Sequence, residues 1–209
     1  MARRRSQIQQ FELLGGSACL NFANTVSGVR GGKTFEHLED YVDLLAWAAQ
    51  AGLLTKEQNQ ELQAAAKRHP QRANQVFARS LTLREAIYAI FSSVAAGKGA
   101  PASALSILNK ELIEAMTNAR IVPRSRAFDW QLPPEVCGIF LPLQAVARDA
   151  AELLTSRHLK EVRQCSGDTC CGLFLDTTRN HSRLWCDMRV CGNRAKQARH
   201  RTKYAEAKT

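Results

Sequence analysis

Four cysteines near the carboxyl end follow the spacing C-x4-C-x15-C-x4-C: Cys165, Cys170, Cys186 and Cys191. Each close pair can supply two thiolates from one turn, and the longer linker can carry the second pair to the opposite side of a metal ion. Four sulfur ligands favour zinc over magnesium or calcium, which bind oxygen. Because protein would fill all four tetrahedral positions, the pattern predicts one structural Zn2+ and no catalytic metal; an iron site is the alternative.

The other three of the seven cysteines have different surroundings. Cys171 directly follows a predicted ligand, so it is interpreted as a spare thiol, a residue beside the site or an alternative ligand. Cys19 and Cys137 have apolar neighbours and are predicted to be small core residues. Disulfides are not expected, because the number of cysteines is odd and no apolar segment of a secretory signal follows the arginines at the amino end. The chain is therefore expected to be cytoplasmic.

Basic residues are concentrated in the same part of the chain as the four cysteines. The sequence has 29 Lys and Arg against 19 Asp and Glu, and residues 160–209 hold 11 of the basic and 5 of the acidic side chains. Such an excess is typical of proteins that contact polyanions, although a solvated helix face is the alternative. The predicted nucleic-acid contacts are Arg179, Arg183, Arg189, Arg194, Lys196, Arg199, Arg201 and Lys203.

The composition excludes several other classes of protein. A hydrophobic fraction of 45% with 23% charged residues is enough to build a core, so the chain is expected to fold. The longest uncharged run, Leu13 to Val29, contains glycines, asparagines and serines, and no membrane partner is expected. No Gly-rich phosphate loop, nucleophile elbow or two-histidine metal helix is present, so the chain is not expected to be an enzyme.

The elements that position these residues are predicted to be mainly helical. Leu20 and Phe22 belong to an opening segment interpreted as strand or turn, because its apolar alternation is short. A helix is predicted from an N-cap at Thr34 to a stop at Gly52. Four further stretches are predicted: 56–68 after a capping box at Thr55, 76–94, a helix after Pro101, and 136–156, with a loop or small hairpin at 120–134.

Residues 161–209 are predicted to form a separate zinc module. The segments 161–164 and 173–176 are expected to pair as a hairpin that carries the first cysteine pair. A polar helix is predicted after Cys191. Its small residues recur every three or four positions and are expected to face the metal, which leaves the other faces basic; these small residues are Ala195, Ala198, Thr202 and Ala205.

The helical part, residues 1–160, offers a candidate site for a small molecule. Asn21 and Asn24 provide amide groups near Gly15 and Gly16, and Trp47 provides an apolar wall. Core packing explains Trp47 equally well. The interpretation is a possible effector site, with the zinc module as output.

Two sets of motifs resemble known families. The carboxyl end resembles the CGNR zinc-finger family in its cysteine pairs, in Phe174-Leu175-Asp176 and in Cys191-Gly192-Asn193-Arg194-Ala195-Lys196. The amino-terminal part resembles the ABATE domain in Gly15-Gly16, in the segment Leu20 to Thr25, and in Leu44 to Ala48 followed by Ala51 to Leu54. Asn21 departs from the family, which more often has Asp there, and Cys171 stands where Gly is usual.

The resemblance implies a bacterial transcription regulator with a mainly α fold. Its amino-terminal domain would be multihelical with small β hairpins, and a treble-clef-like zinc module would follow it. The partner implied is DNA, and arginine suits guanine edges as well as phosphates. An RNA- or ribosome-associated role is the alternative, because zinc knuckles with basic helices bind RNA by the same electrostatics.

Overall fold

The computed structural model describes residues 10–206, with side chains described through Arg201. The fold is mainly α, as predicted. The helices are α1 (Ala18–Ala23), α2 (Tyr41–Gln50), α3 (Lys56–Arg68), α4 (Pro70–Ala95), α5 (Ala102–Asn118), α6 (Pro134–Cys137), α7 (Leu141–Thr155) and α8 (Asn193–Glu206). Short 3-10 turns occupy Gly138–Phe140 and Arg157–Glu161, and a π turn occupies Met188–Gly192.

Six strands form three antiparallel hairpins. They are β1 (Val26–Gly28) with β2 (Thr34–Glu36), β3 (Arg120–Arg124) with β4 (Ala127–Gln131), and β5 (Val162–Gln164) with β6 (Leu173–Leu175). In the last hairpin Val162 lies opposite Leu175 and Gln164 opposite Leu173. The hairpin predicted for 161–176 is therefore present, and the segment 120–134, predicted as a loop or small hairpin, contains a hairpin.

The helix boundaries follow local side-chain chemistry. The hydroxyl of Thr55 accepts from the N–H of Gln58, whose side chain accepts from the N–H of Thr55, which is the predicted capping box at the start of α3. Pro70 occupies the first turn of α4, where a missing N–H costs no hydrogen bond. The predicted end of α3 before Pro70 is therefore confirmed.

Two secondary-structure predictions in the first fifty residues were wrong. Thr34 does not cap α2; it begins strand β2, and the side chain of Asp40 caps α2 by accepting from the N–H groups of Val42 and Asp43. Leu20, predicted as strand or turn together with Phe22, lies in helix α1. The alternation was misleading because α1 is buried on almost every side. Such a helix has no exposed polar face, so the sequence does not show the helical repeat of apolar and polar residues.

One hydrophobic core joins the helices to the zinc-module hairpin. The long helix α4 packs against α1, α2, α5 and α7, and it also contacts β5 and β6. Val162 of β5 and Leu173 of β6 are buried in the same cluster as Phe22, Trp47 and Ile87. The cysteine cluster has a small separate core around Phe174. The hairpin thus fixes the cysteine cluster to the helices by ordinary apolar burial.

No helix in the described range 10–206 has the length and apolar character needed to cross a membrane.

Candidate functional site

The four predicted metal ligands lie together. The Sγ atoms of Cys165, Cys170, Cys186 and Cys191 are all within 4.8 Å of one another. The Sγ of Cys186 lies 3.6 Å from that of Cys170 and 3.7 Å from that of Cys191. A tetrahedral zinc ion with Zn–S bonds of about 2.3 Å requires sulfur atoms about 3.8 Å apart. The cluster therefore fits one Zn2+ bound by four thiolates.

Short main-chain contacts hold three of the four ligands in place. The N–H of Cys165 donates to the carbonyl of Gly172 at 2.8 Å, which extends the β5–β6 ladder to the first ligand. Cys170 closes the tip of the hairpin by donating its N–H to Gly167 at 2.9 Å. Cys191 lies in the π turn that Asp187 caps, and α8 begins two residues later. The ion would thus join the hairpin to the start of α8.

The thiols also influence one another. Hydrogen bonds from Cys170 and Cys186 lower the pKa of Cys165 to about 2, and the bond with Cys165 raises the pKa of Cys186 well above its usual range. Burial raises the pKa of Cys191 to about 12. Without a cation, ionisation of one thiol therefore opposes ionisation of the others. A divalent ion removes this conflict, so the donor set suits a metal and is unfavourable as four thiolates alone.

Cys171 is not one of the clustered sulfurs. Its Sγ donates to the carbonyl of Gly28 at 2.9 Å and lies 3.4 Å from the N–H of Arg30. Of the alternatives left open by the sequence, a residue beside the site is the one observed. Cys171 joins the zinc module to the loop after β1.

A buried carboxylate organises the segment between the two cysteine pairs. Asp176 has no exposed surface; its carboxylate accepts from the N–H and hydroxyl of Thr178 at 3.0 and 2.6 Å and from the N–H of Arg183 at 2.8 Å. Burial raises the pKa of Asp176, but these hydrogen bonds outweigh it and hold the pKa below its ordinary value. Thr178 and the main chain of Arg183 therefore hold the carboxylate of Asp176.

Arg183, predicted to contact nucleic acid, uses its side chain within the module. Its Nε donates to the carbonyl of Trp185 at 2.8 Å, a terminal nitrogen donates to the carbonyl of Cys186, and the guanidinium stacks 4.4 Å from the centre of the Phe174 ring. These contacts fix the backbone around the third ligand. The geometry gives Arg183 a positioning role.

The other predicted nucleic-acid residues divide by location. Arg179 lies on the exposed segment after β6, and Arg189 on the π turn, where it also pairs with Asp187 at 3.4 Å. The described cations of α8 are all exposed, whereas Ala195 and Ala198 are half-buried, as their spacing predicts. These exposed cations are Arg194, Lys196, Arg199 and Arg201. Lys203 lies in α8, but its side chain is outside the described ones.

The three residues predicted to bind a small molecule all line one cavity of about 970 Å³. The Oδ1 of Asn21 accepts from the N–H of Gly15 at 2.7 Å. Trp47 is fully buried, with its ring 4.8 Å from that of Phe22. The cavity lies between the helices and the zinc module, because Cys170, Cys186 and Cys191 line it as well.

Asn24 has a role that the sequence did not reveal. Its Nδ2 donates to the carbonyl of Leu173 at 2.8 Å, and its Oδ1 accepts from the N–H of the same residue at 2.8 Å. The side chain thus satisfies both main-chain hydrogen-bonding groups of Leu173 in β6, as a neighbouring strand would. The N–H of Leu175 likewise donates to Gly15 at 2.9 Å. No sequence signal identifies Leu173 as the partner, because the two residues are far apart in the chain.

Comparison with known families agrees with this architecture. The model of the ABATE family, described as "Putative stress-induced transcription regulator", matches residues 16–157, and the model of the CGNR zinc finger matches residues 161–204. A search of curated proteins finds no match. The first model covers more than half of the chain. The chain therefore belongs to the ABATE family and carries a CGNR zinc finger at its carboxyl end.

Proposed function

We propose that the protein is a cytoplasmic, non-enzymatic transcription regulator that binds DNA through α8 and the turns around the zinc site. The observation that carries the proposal is the set of exposed cations on a helix whose first turn follows the fourth metal ligand. A zinc ion there fixes the direction of α8 relative to the hairpin. The family descriptions support a role in transcription and a zinc finger.

Electrostatics favours a polyanionic partner even after the metal site is counted. Residues 160–209 have an excess of six basic side chains. Four thiolates with Zn2+ contribute a charge of about −2, so the module stays positive. Because Arg183 bonds to main-chain carbonyls, the proposed phosphate contacts are the six other predicted cations whose side chains are described, all of them exposed. They are Arg179, Arg189, Arg194, Lys196, Arg199 and Arg201.

Base recognition would come from the arginines of α8. A guanidinium can donate two hydrogen bonds to O6 and N7 of guanine in the major groove. One or two of Arg194, Arg199 and Arg201 would make these contacts; all three are exposed, and Arg194 and Arg201, seven positions apart, share one face of the helix. Phosphates would hold the remaining cations and set the orientation of the helix.

We expect the affinity for duplex DNA to fall with salt with a log-log slope of about −4 to −5, as for about five neutralised phosphates. A variant with Lys196, Arg199 and Arg201 replaced by Gln should lower the magnitude of this slope by about 2 to 3. Fluorescence anisotropy with a labelled duplex at several salt concentrations measures both slopes.

The matched control removes the same charge from the helical part: Lys67, Lys98 and Lys110, all exposed, are replaced by Gln. Its slope should equal that of the unmodified protein. If both triple variants lower the magnitude of the slope equally, a specific role for α8 is refuted. A slope near zero in the unmodified protein would remove the electrostatic basis of the proposal. If structured RNA displaces duplex DNA in direct competition, the RNA-associated alternative replaces this proposal.

A further inference from the structure

The cavity between the helices and the zinc module is lined by both parts of the chain. Phe11, Val26 and Val29 come from the amino-terminal part, whereas Val190 and Arg194 come from the turn before α8 and its first residues. A volume of about 970 Å³ lies in the range of sites for small organic ligands. A molecule in this space would contact the helical part and the start of α8 simultaneously.

A residue that lines the cavity has a buried polar group without a partner among the described residues. The indole N–H of Trp47 is fully buried and makes no hydrogen bond within the described residues. Its neighbours on the wall are satisfied: Asn24 bonds to Leu173, and the hydroxyl of Thr25 donates to the carbonyl of Phe22 at 2.7 Å. A buried donor without an acceptor costs about 1 to 3 kcal/mol. A ligand oxygen that reached this N–H would remove that cost.

The other side chains that line the cavity determine which class of ligand it can bind. Apolar side chains from both parts of the chain form much of the wall, which favours an apolar body. The ionised groups do not favour an anion: Glu12, Asp168 and Asp187 line the cavity with the thiolates of the metal site, against Lys33 and Arg194. A negatively charged ligand would be placed beside a centre of net charge about −2.

We propose that this cavity binds a neutral, largely apolar small molecule that carries a carbonyl-type oxygen, which accepts from Trp47. The binding site itself does not depend on the DNA-binding role. Its use as an effector site rests on the proposed function, because contact with Val190 and Arg194 would link the ligand to α8. Ligand binding is tested without DNA, so its failure and the failure of DNA binding are separate results.

Three fluorescent probes test the proposal on the full chain loaded with zinc. Prodan is a neutral aromatic ketone, N-phenyl-1-naphthylamine is neutral without a carbonyl, and 8-anilino-1-naphthalenesulfonate is the same molecule as the second with an added anionic group. We expect saturable binding of one Prodan per chain with a blue-shifted emission. We also expect the sulfonate to bind about tenfold more weakly than its neutral counterpart.

Two tryptophan substitutions locate the probe. Val29→Trp fills the cavity from its lining and should abolish the binding of both neutral probes. Ile113→Trp is the matched control, because Ile113 is exposed on α5 outside the cavity and should leave binding unchanged. Thermal melting of each variant shows that it is folded. Prodan that fails to bind, or that binds equally well to the Val29→Trp variant, overturns the proposal.

The Trp47→Phe substitution tests whether the ligand accepts a hydrogen bond from Trp47. The substitution keeps an aromatic ring but removes the N–H, and losing one hydrogen bond should weaken Prodan binding about fivefold. N-phenyl-1-naphthylamine has no carbonyl and should keep its affinity within about twofold. Equal changes for both probes would show that Trp47 acts only by packing and would overturn the assignment of a carbonyl ligand.

Discussion

Cys186→Ser should deprive the protein of its zinc ion and, with it, of most of its DNA affinity. Cys186 is central to the cluster, with its Sγ within 3.7 Å of two other ligand sulfurs. A serine hydroxyl is a poor zinc ligand, and structural zinc sites contribute about 10 to 16 kcal/mol to folding. Among the described residues, the segment from Asp176 to α8 adds apolar side chains only to the small core around Phe174, so loss of the ion should unfold it.

Three measurements check this expectation. Native mass spectrometry should show one zinc in the unmodified chain and none in the variant. Circular dichroism should lose the contribution of α8 while the main helices persist, because their core is separate from the cysteine cluster. DNA anisotropy should show an affinity more than about tenfold weaker, since the cations of α8 would no longer share a fixed orientation.

Cys171→Ser is the matched control. Cys171 adjoins a ligand, but its thiol donates to the carbonyl of Gly28 and a hydroxyl can make the same bond. We expect this variant to keep its zinc and its DNA affinity. If the Cys186→Ser chain retains a full equivalent of zinc, or if the metal-free chain is fully folded, the interpretation of a structural zinc site fails.

Asn24→Ala should have the largest effect on stability among the polar residues of the cavity wall. The substitution leaves both the N–H and the carbonyl of Leu173 without partners, and Leu173 is fully buried. Each unsatisfied group costs about 1 to 3 kcal/mol, so we expect the free energy of unfolding to fall by about 2 to 4 kcal/mol. Urea unfolding monitored by circular dichroism measures this change.

The control for Asn24→Ala is Asn109→Ala, on an exposed face of α5, for which we expect a change within about 0.5 kcal/mol. A second measurement, the rate of zinc release, reports on β6 in particular and not on the whole fold. Zinc should pass to a chelator faster in Asn24→Ala than in Asn109→Ala, because β6 leads directly from the first cysteine pair. Identical stability and identical zinc release in the two variants would contradict the role assigned to Asn24.

Features encoded by neighbouring residues could be predicted from the sequence. The capping box at Thr55, the break at Pro70 and the spacing of the cysteine pairs each depend on residues a few positions apart. The ligand set follows for the same reason, because each pair needs only a local turn. The half-buried Ala195 and Ala198 likewise follow from helical periodicity.

Features that depend on distant residues could not be predicted. The side chain of Asn24 bonds to Leu173, and the thiol of Cys171 bonds to Gly28, each across most of the chain. Arg183 is a different case: its carbonyl partners are only two and three residues away, but no sequence pattern announces such bonds, and charge alone made it a predicted nucleic-acid contact. The unpartnered indole of Trp47 is a property of packing alone.

The short distance between the fourth ligand and α8 determines which way the helix faces. Only Gly192 separates Cys191 from the first residue of α8, so the sulfur–metal bond fixes the rotation of the helix about its own axis. Each residue of an α-helix advances the azimuth by about 100°. A single insertion after Gly192 would therefore turn every downstream guanidinium by about that angle while leaving composition and charge nearly the same. The length of this junction therefore determines the direction of the guanidiniums, which the cysteine alone does not.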